Sequence, residues 1–202
     1  MTWSTLSASN DTALPGWLFH VDPPPDGPVR LRPDLADLAC GTCGKFDELA
    51  ALRRGFPPRM KFRCRSEVFR SNEQVLCAGE RFRAACEHHG LTGLEFVPVT
   101  TRPVYALLPV MLPTDPAKAK MQFEGEPCPA CGRYRDSIFV PSLRAVEFPA
   151  EVPDFFTPSV QPEGWMGRRM VVFASPRAAE ALKASGVGGL DWESGKVGVH
   201  WT

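Results

Sequence analysis

The sequence has little of what most enzymes and most targeting signals need. It holds four histidines, His20, His88, His89 and His200, so general bases are few. It contains no GxSxG, no phosphate-binding loop and no HExxH, the patterns that would place a nucleophile, a phosphate cradle or a catalytic zinc. No run approaches the ~20 apolar residues that a membrane-spanning helix requires. The opening residues, MTWSTLSASNDTALPG, carry neither a basic stretch nor a continuous apolar core, so a cytoplasmic location is expected rather than secretion. Charge of one sign is not in excess either: 23 basic residues balance 23 acidic ones. A dedicated nucleic-acid binder usually carries a clear positive surplus, so nucleic acid is not the expected partner.

What is present is enough for a packed core. The chain has 202 residues, 44% of them apolar. Proline is plentiful at 21 residues, which favours many loops and short helices. Seven cysteines are an odd number, and in a reducing compartment they do not read as a disulfide framework. Some should bind a metal and the rest should be buried as small apolar groups.

Two stretches align without a gap: VLCAGERFRAACEHHGLTGLEF at 75–96 and VVFASPRAAEALKASGVGGLDW at 171–192. Each reads as strand, helix, strand. Val171-Val172-Phe173 is a short strand-type run, and Ser175-Pro176 joins an N-cap residue to a proline at the first helical position. Gly90 and Gly186 fit the residue that ends such a helix. In the alignment Cys77 faces Phe173 and Cys86 faces Leu182, so both cysteines are expected in core positions. Outside the repeat, a short helix is expected from Phe46 to Arg54. Strands are expected at 17–21, 61–65 and 196–201. A further strand from Val104 to Leu112 should be interrupted by Pro109, at an edge or a bulge.

The cysteines carry the sharper signal. CGTCG at 40–44 and CPACG at 128–132 are two CxxCG motifs. One CxxC is ambiguous between a redox pair, half a zinc site and coincidence. Two, each followed by glycine, fit the paired knuckles of a zinc ribbon, because zinc takes four thiolates in a tetrahedron. The glycine allows the backbone to fold beneath the sulfurs. Cys40, Cys43, Cys128 and Cys131 are therefore the expected ligands of one structural Zn²⁺. Lys45 and Arg133 follow the two glycines and would offset the charge of four thiolates. The metal should join the two halves and contribute to folding. The expected fold is α+β. Two strand-helix-strand units, about 40–100 and 128–202 of a single 1–202 domain, would be joined by a zinc-ribbon-like double knuckle.

Other chemistry is weaker. A thioredoxin-like redox pair would open a long helix, and the residues after Gly132 do not read as one. Cys64, His88 and His89 could substitute as ligands, but a strand position and a helix end account for them. From Arg53 to Arg70 a basic run interleaved with Phe56, Phe62 and Phe69 could be a single-strand nucleic-acid surface or a strand pair with its phenylalanines inward. Asp154 and Glu163 fall in loops with no visible partner, so no catalytic set is expected.

As a set, CGTCG, CPACG, the distance between them, VPDFF at 152–156 and the closing GxxGLDW resemble the double-CxxCG-motif paralogous family of myxobacteria. The resemblance covers most of the chain. The approach to the first knuckle, PDLADLA, departs from the family's Leu-Pro-Gly. That family includes an immunity protein against a sibling's swarm-inhibition toxin. The resemblance implies a cytoplasmic immunity protein that binds and neutralises a cognate polymorphic, contact-delivered toxin domain, not an enzyme, with its cysteines in a structural role.

Overall fold

The computed structural model describes residues 4–7, 10–12, 33–45, 47–56, 66–71, 75–99, 102–115, 122–134, 136–138, 146–159, 163–164, 167–168 and 171–194. The expected strands at 17–21, 61–65 and 196–201 lie outside them, as do Cys64, His20 and His200. The fold is α+β. The first part of the chain holds β1 (Ser4–Ser7), β2 (Asn10–Thr12), a 3-10 turn (Pro33–Leu38), α1 (Glu48–Arg54), β3 (Val68–Ser71), β4 (Leu76–Gly79), α2 (Glu80–His88) and β5 (Leu94–Pro98). The second holds β6 (Val104–Leu112), β7 (Gln122–Glu124), β8 (Asp136–Ile138), β9 (Phe155–Pro158), β10 (Glu163–Gly164), β11 (Gly167–Arg168), β12 (Val172–Ala174), α3 (Pro176–Ala184) and β13 (Asp191–Ser194). No helix among the described residues is long and apolar enough to cross a membrane.

Local chemistry sets the helix limits. Asp47 caps α1 by accepting the Ala50 N–H at 3.0 Å, and Gly55 at positive φ ends it. Ser175 caps α3 by accepting the Ala178 N–H at 3.0 Å, with Pro176 in the first turn. Helices α2 and α3 begin and end 96 residues apart, the spacing that also separates the touching pair His89 and Ser185.

The strands correspond just as closely. β3 pairs antiparallel with β4 through Val68–Ala78 and Phe69–Cys77. β9 pairs antiparallel with β12 through Phe155–Ala174 and Phe156–Phe173. β6 then runs antiparallel to β4, Cys77 opposite Ala106, and to β5, Val97 opposite Ala106. β1 fills the same place in the other half, with Thr5 opposite both Phe173 and Glu193. Beyond Pro109, β6 turns to β9 and pairs with it in parallel from Val110. β2, following β1, pairs in parallel with β3. Each half thus sends its first strand into the other half's sheet before it returns to its own. Among the described residues the sheet has nine strands, and a separate sheet of four contains β7, β8, β10 and β11.

Pro109 does not interrupt its strand or mark an edge, as the sequence suggested; β6 is central and continuous. β4 and β5 hold opposite edges of β6 at Ala106, and beyond Pro109 the edge held by β5 passes to β9. The Pro109 nitrogen faces the opposite edge, where pairing with β4 has ended at Ala106, so its missing N–H leaves no ladder bond unmade.

Both helices pack into the main core. Phe82, Ala85 and Cys86 of α2 and Ala178 and Leu182 of α3 join Val68, Leu76, Cys77, Leu107 and Phe155 there. Cys77 and Cys86 are buried, in line with core positions. A second cluster gathers Leu112, Val146, Phe156, Val171 and Phe173. Leu35, Ala51 and Leu52 carry the 3-10 turn and α1 into the main core.

Candidate metal centre

The two CxxCG motifs fold alike. In the first, the Gly44 N–H donates to the Cys40 carbonyl at 2.8 Å and the Cys40 N–H to the Lys45 carbonyl at 2.7 Å. In the second, Gly132 donates to Cys128 at 2.7 Å and Cys128 to Arg133 at 2.8 Å. Gly44 and Gly132 have φ of 73° and 70°. A side chain rarely adopts that conformation, so the glycine of each motif is required by the turn.

The motifs meet. Cys40 Sγ lies 3.9 Å from Cys128 Sγ, and Cys43 Sγ lies 3.6 Å from Cys131 Sγ, each pair 88 residues apart. All four sulfurs lie within 4.8 Å of one another. A tetrahedron with metal–sulfur bonds of about 2.3 Å has edges of about 3.8 Å. The two cross-knuckle distances bracket that edge, so the donor set fits a thiophilic ion such as zinc. Among the described residues no other group of three or more histidines, cysteines and carboxylates brings its ligand atoms together. His88 and His89 sit at the end of α2, where His89 Nε2 meets Ser185 Oγ at 3.2 Å.

The sulfurs are prepared for ionisation unequally. Backbone N–H groups of Cys43 and Thr42 lower the Cys40 thiol to about 6. Those of Ala130 and Cys131 lower Cys128. The Arg133 N–H favours the Cys131 thiolate, but loss of water and hydrogen bonds with Cys43, Cys128 and Cys40 push that thiol up to about 12. Four sulfurs this close cannot all be thiolates without a cation among them. A bound metal would supply that charge and be fully coordinated by the four, with no position left for a substrate.

A cavity of about 280 Å³ opens beside the cluster, lined by Cys40, Cys131, Lys45, Arg133, Asp47 and Leu38. Lys45 and Arg133, the residues after the two glycines, therefore converge on one space. Arg133 also reaches from the second knuckle to Glu48 in the first turn of α1, at 3.6 Å, with side chains 11% and 15% exposed. Glu48 was not expected at this site from the sequence. The available signal was an acidic residue one position after the Asp47 cap.

The rest of the chemistry expected from sequence is dispersed. In the basic run, Arg53 pairs with Glu95 at 3.6 Å and Arg54 with Asp37, while residues 57–65 lie outside the described ones. Asp154 is not the partnerless loop residue expected. It stands at the start of β9, 6% exposed, and accepts from Ser175 Oγ, Arg177 and the Thr92 N–H. Its partners are remote in sequence, which hid them. Burial opposes its ionisation, but the Arg177 guanidinium, the Thr92 N–H and the Ser175 hydroxyl outweigh that and lower its pKa.

Compared with family models, curated proteins and solved structures, the chain matches none of them.

Proposed function

We propose that this chain is a cytoplasmic immunity protein that binds and neutralises a cognate toxin domain, with a structural zinc held by Cys40, Cys43, Cys128 and Cys131. One observation carries the reading. The double CxxCG pattern, on which the resemblance to the myxobacterial family rests, closes into a single four-sulfur cluster of tetrahedral dimensions. A site of this kind shapes a binding surface and leaves catalysis to nothing in the coordination sphere. The element-by-element correspondence of the halves supports a further part of the proposal. The chain descends from a duplicated unit whose two knuckles form a zinc-ribbon-like pair.

Co-expression with the toxin encoded beside it tests the function. Growth should be rescued by this chain and not by an unrelated paralogue. Continued killing in the presence of the correctly paired, soluble chain would refute the reading.

A further inference from the structure

The two knuckles are mounted differently. The first is anchored in the body: Leu35 and Leu38 before it, and Leu49, Ala51 and Leu52 after it, belong to or pack on the main core. The second is the turn between β7 and β8, in the four-stranded sheet. Neither Phe123 nor any residue from 125 to 134 belongs to either core cluster. Among the described residues, none of the four strands packs extensively on an element of the larger sheet. An aromatic contact within this part is internal: Phe123, 43% exposed, stacks on Tyr134 at 4.0 Å. At the knuckles, two sulfur pairs and the Arg133–Glu48 ion pair join it to the body.

The halves of the body, by contrast, are interlocked without the cysteines. β6 pairs with strands of both halves, and so does the β1–β2 segment. Arg177 of α3 donates to the His89 and Gly90 carbonyls at the end of α2, and Arg81 of α2 reaches the Gly186 carbonyl at the end of α3. A staple between the halves would be redundant.

We infer that the metal governs an arm, not the fold: ion binding fixes the β7–knuckle–β8 hairpin and its sheet against the body, and ion loss frees them while the nine-stranded body stays folded. The inference rests on the metal reading above. It changes the role expected from sequence, in which the ion joined the halves and contributed to global folding. Metal level would then set whether the exposed Phe123, stacked on half-buried Tyr134, is presented in one orientation.

Hydrogen exchange read by mass spectrometry on the full chain tests this, with zinc content measured in parallel. On transfer from Zn²⁺ to a chelator, amides of residues 122–138 should lose about 100-fold of their protection, whereas those of β3, β4, α2, β12 and α3 keep theirs. The Cys128→Ser/Cys131→Ser double variant should show the same local pattern without chelator. Equal loss of protection across α2 and α3 would overturn the inference, as would an unchanged arm after zinc has demonstrably left. A chain that binds no zinc at any loading would overturn both this inference and the metal reading. The zinc assay separates that failure from the other two.

Discussion

Helices α2 and α3 begin at equivalent places and are capped by different means. α3 has Ser175 at its N-cap, and the Ser175 hydroxyl both accepts from Ala178 and donates to Asp154, 2.8 Å away. α2 has Gly79 there, with no side chain to offer. Instead Glu67 reaches in, and its carboxylate accepts the Phe82 N–H at 3.1 Å. Glu67 and Asp154 occupy matching positions: the Gly79 N–H donates to the Glu67 carbonyl and the Ser175 N–H to the Asp154 carbonyl, both at 2.8 Å. A glycine cap goes with the longer acid and a serine cap with the shorter one. The same orphan N–H groups are satisfied by the same total reach, divided differently between two residues.

The loop after each helix shows the opposite case, in which both halves keep one solution. Gly93 and Gly189 each lie at positive φ, 95° and 81°, against a strand of the other half. A Cβ at Gly93 would overlap the Phe155 carbonyl oxygen, and one at Gly189 the Val68 carbonyl oxygen. Backbone cannot yield as a flexible side chain can. Gly93→Ala should therefore cost about 3 kcal/mol or more, and Gly189→Ala somewhat less. Gly90→Ala and Gly186→Ala, also at positive φ but with open space around the added carbon, should cost about 1 kcal/mol each. Denaturant unfolding of the four variants would check the order. Equal costs at Gly93 and Gly90 would show that the close approach between halves is not real.

A smaller effect should separate the two acids. Asp154→Asn removes a charge that Arg177, Ser175 and Thr92 all address. Arg177 is 58% exposed, so solvent screens part of that pair, and a loss of about 2 kcal/mol at neutral pH is expected. The pH dependence has a definite sign. The pKa of folded Asp154 lies below its ordinary value of 3.8, so the folded chain takes up this proton less readily than the unfolded one. The stabilisation is complete above that value and is lost as pH falls through the depressed folded pKa. The difference between the parent chain and Asp154→Asn should therefore be constant from neutral pH to about 5 and shrink below pH 4. A gap that persists undiminished well below pH 3 would mean that packing, not charge, is responsible.

Much of this pairing could be read from residues alone. The Ser-Pro helix start, the alanine-rich turns and the glycines after each helix mark the unit from 75 to 96 and its counterpart, because those signals act within a few residues. The four clustered cysteines were legible for the same reason: each CxxCG motif is a local turn with its own required glycine. What escaped depends on distance. Residues 4–7 are STLS while their counterparts in β6 are YALL, so the exchange of first strands leaves no trace in side-chain type. Backbone register carries it. Asp154 looked isolated because Thr92 is 62 residues away and Arg177 is 23. Pro109 looked like an interruption because the change of partner along β6 is a property of the sheet. That the second knuckle belongs to a separate four-stranded sheet is a matter of strand pairing, which no local pattern reports.

The helix starts allow the finest test of the comparison. A Cβ at Gly79 would come 2.6 Å from Glu67 Oε1, the far end of a flexible side chain. Gly79→Ser alone should displace Glu67 and cost about 1 kcal/mol, because the new hydroxyl and the old carboxylate compete for one space. Glu67→Asp alone should cost a similar amount, since the shortened acid no longer reaches the Phe82 N–H. Together they reproduce the serine–aspartate arrangement of the other half, so the double variant should recover most of the loss. The expected coupling is about 1 kcal/mol in favour of the pair, measured as a double-mutant cycle by chemical denaturation. Strict additivity would mean that the caps are independent, and that the match between Gly79–Glu67 and Ser175–Asp154 is geometric coincidence rather than one interaction divided in two ways.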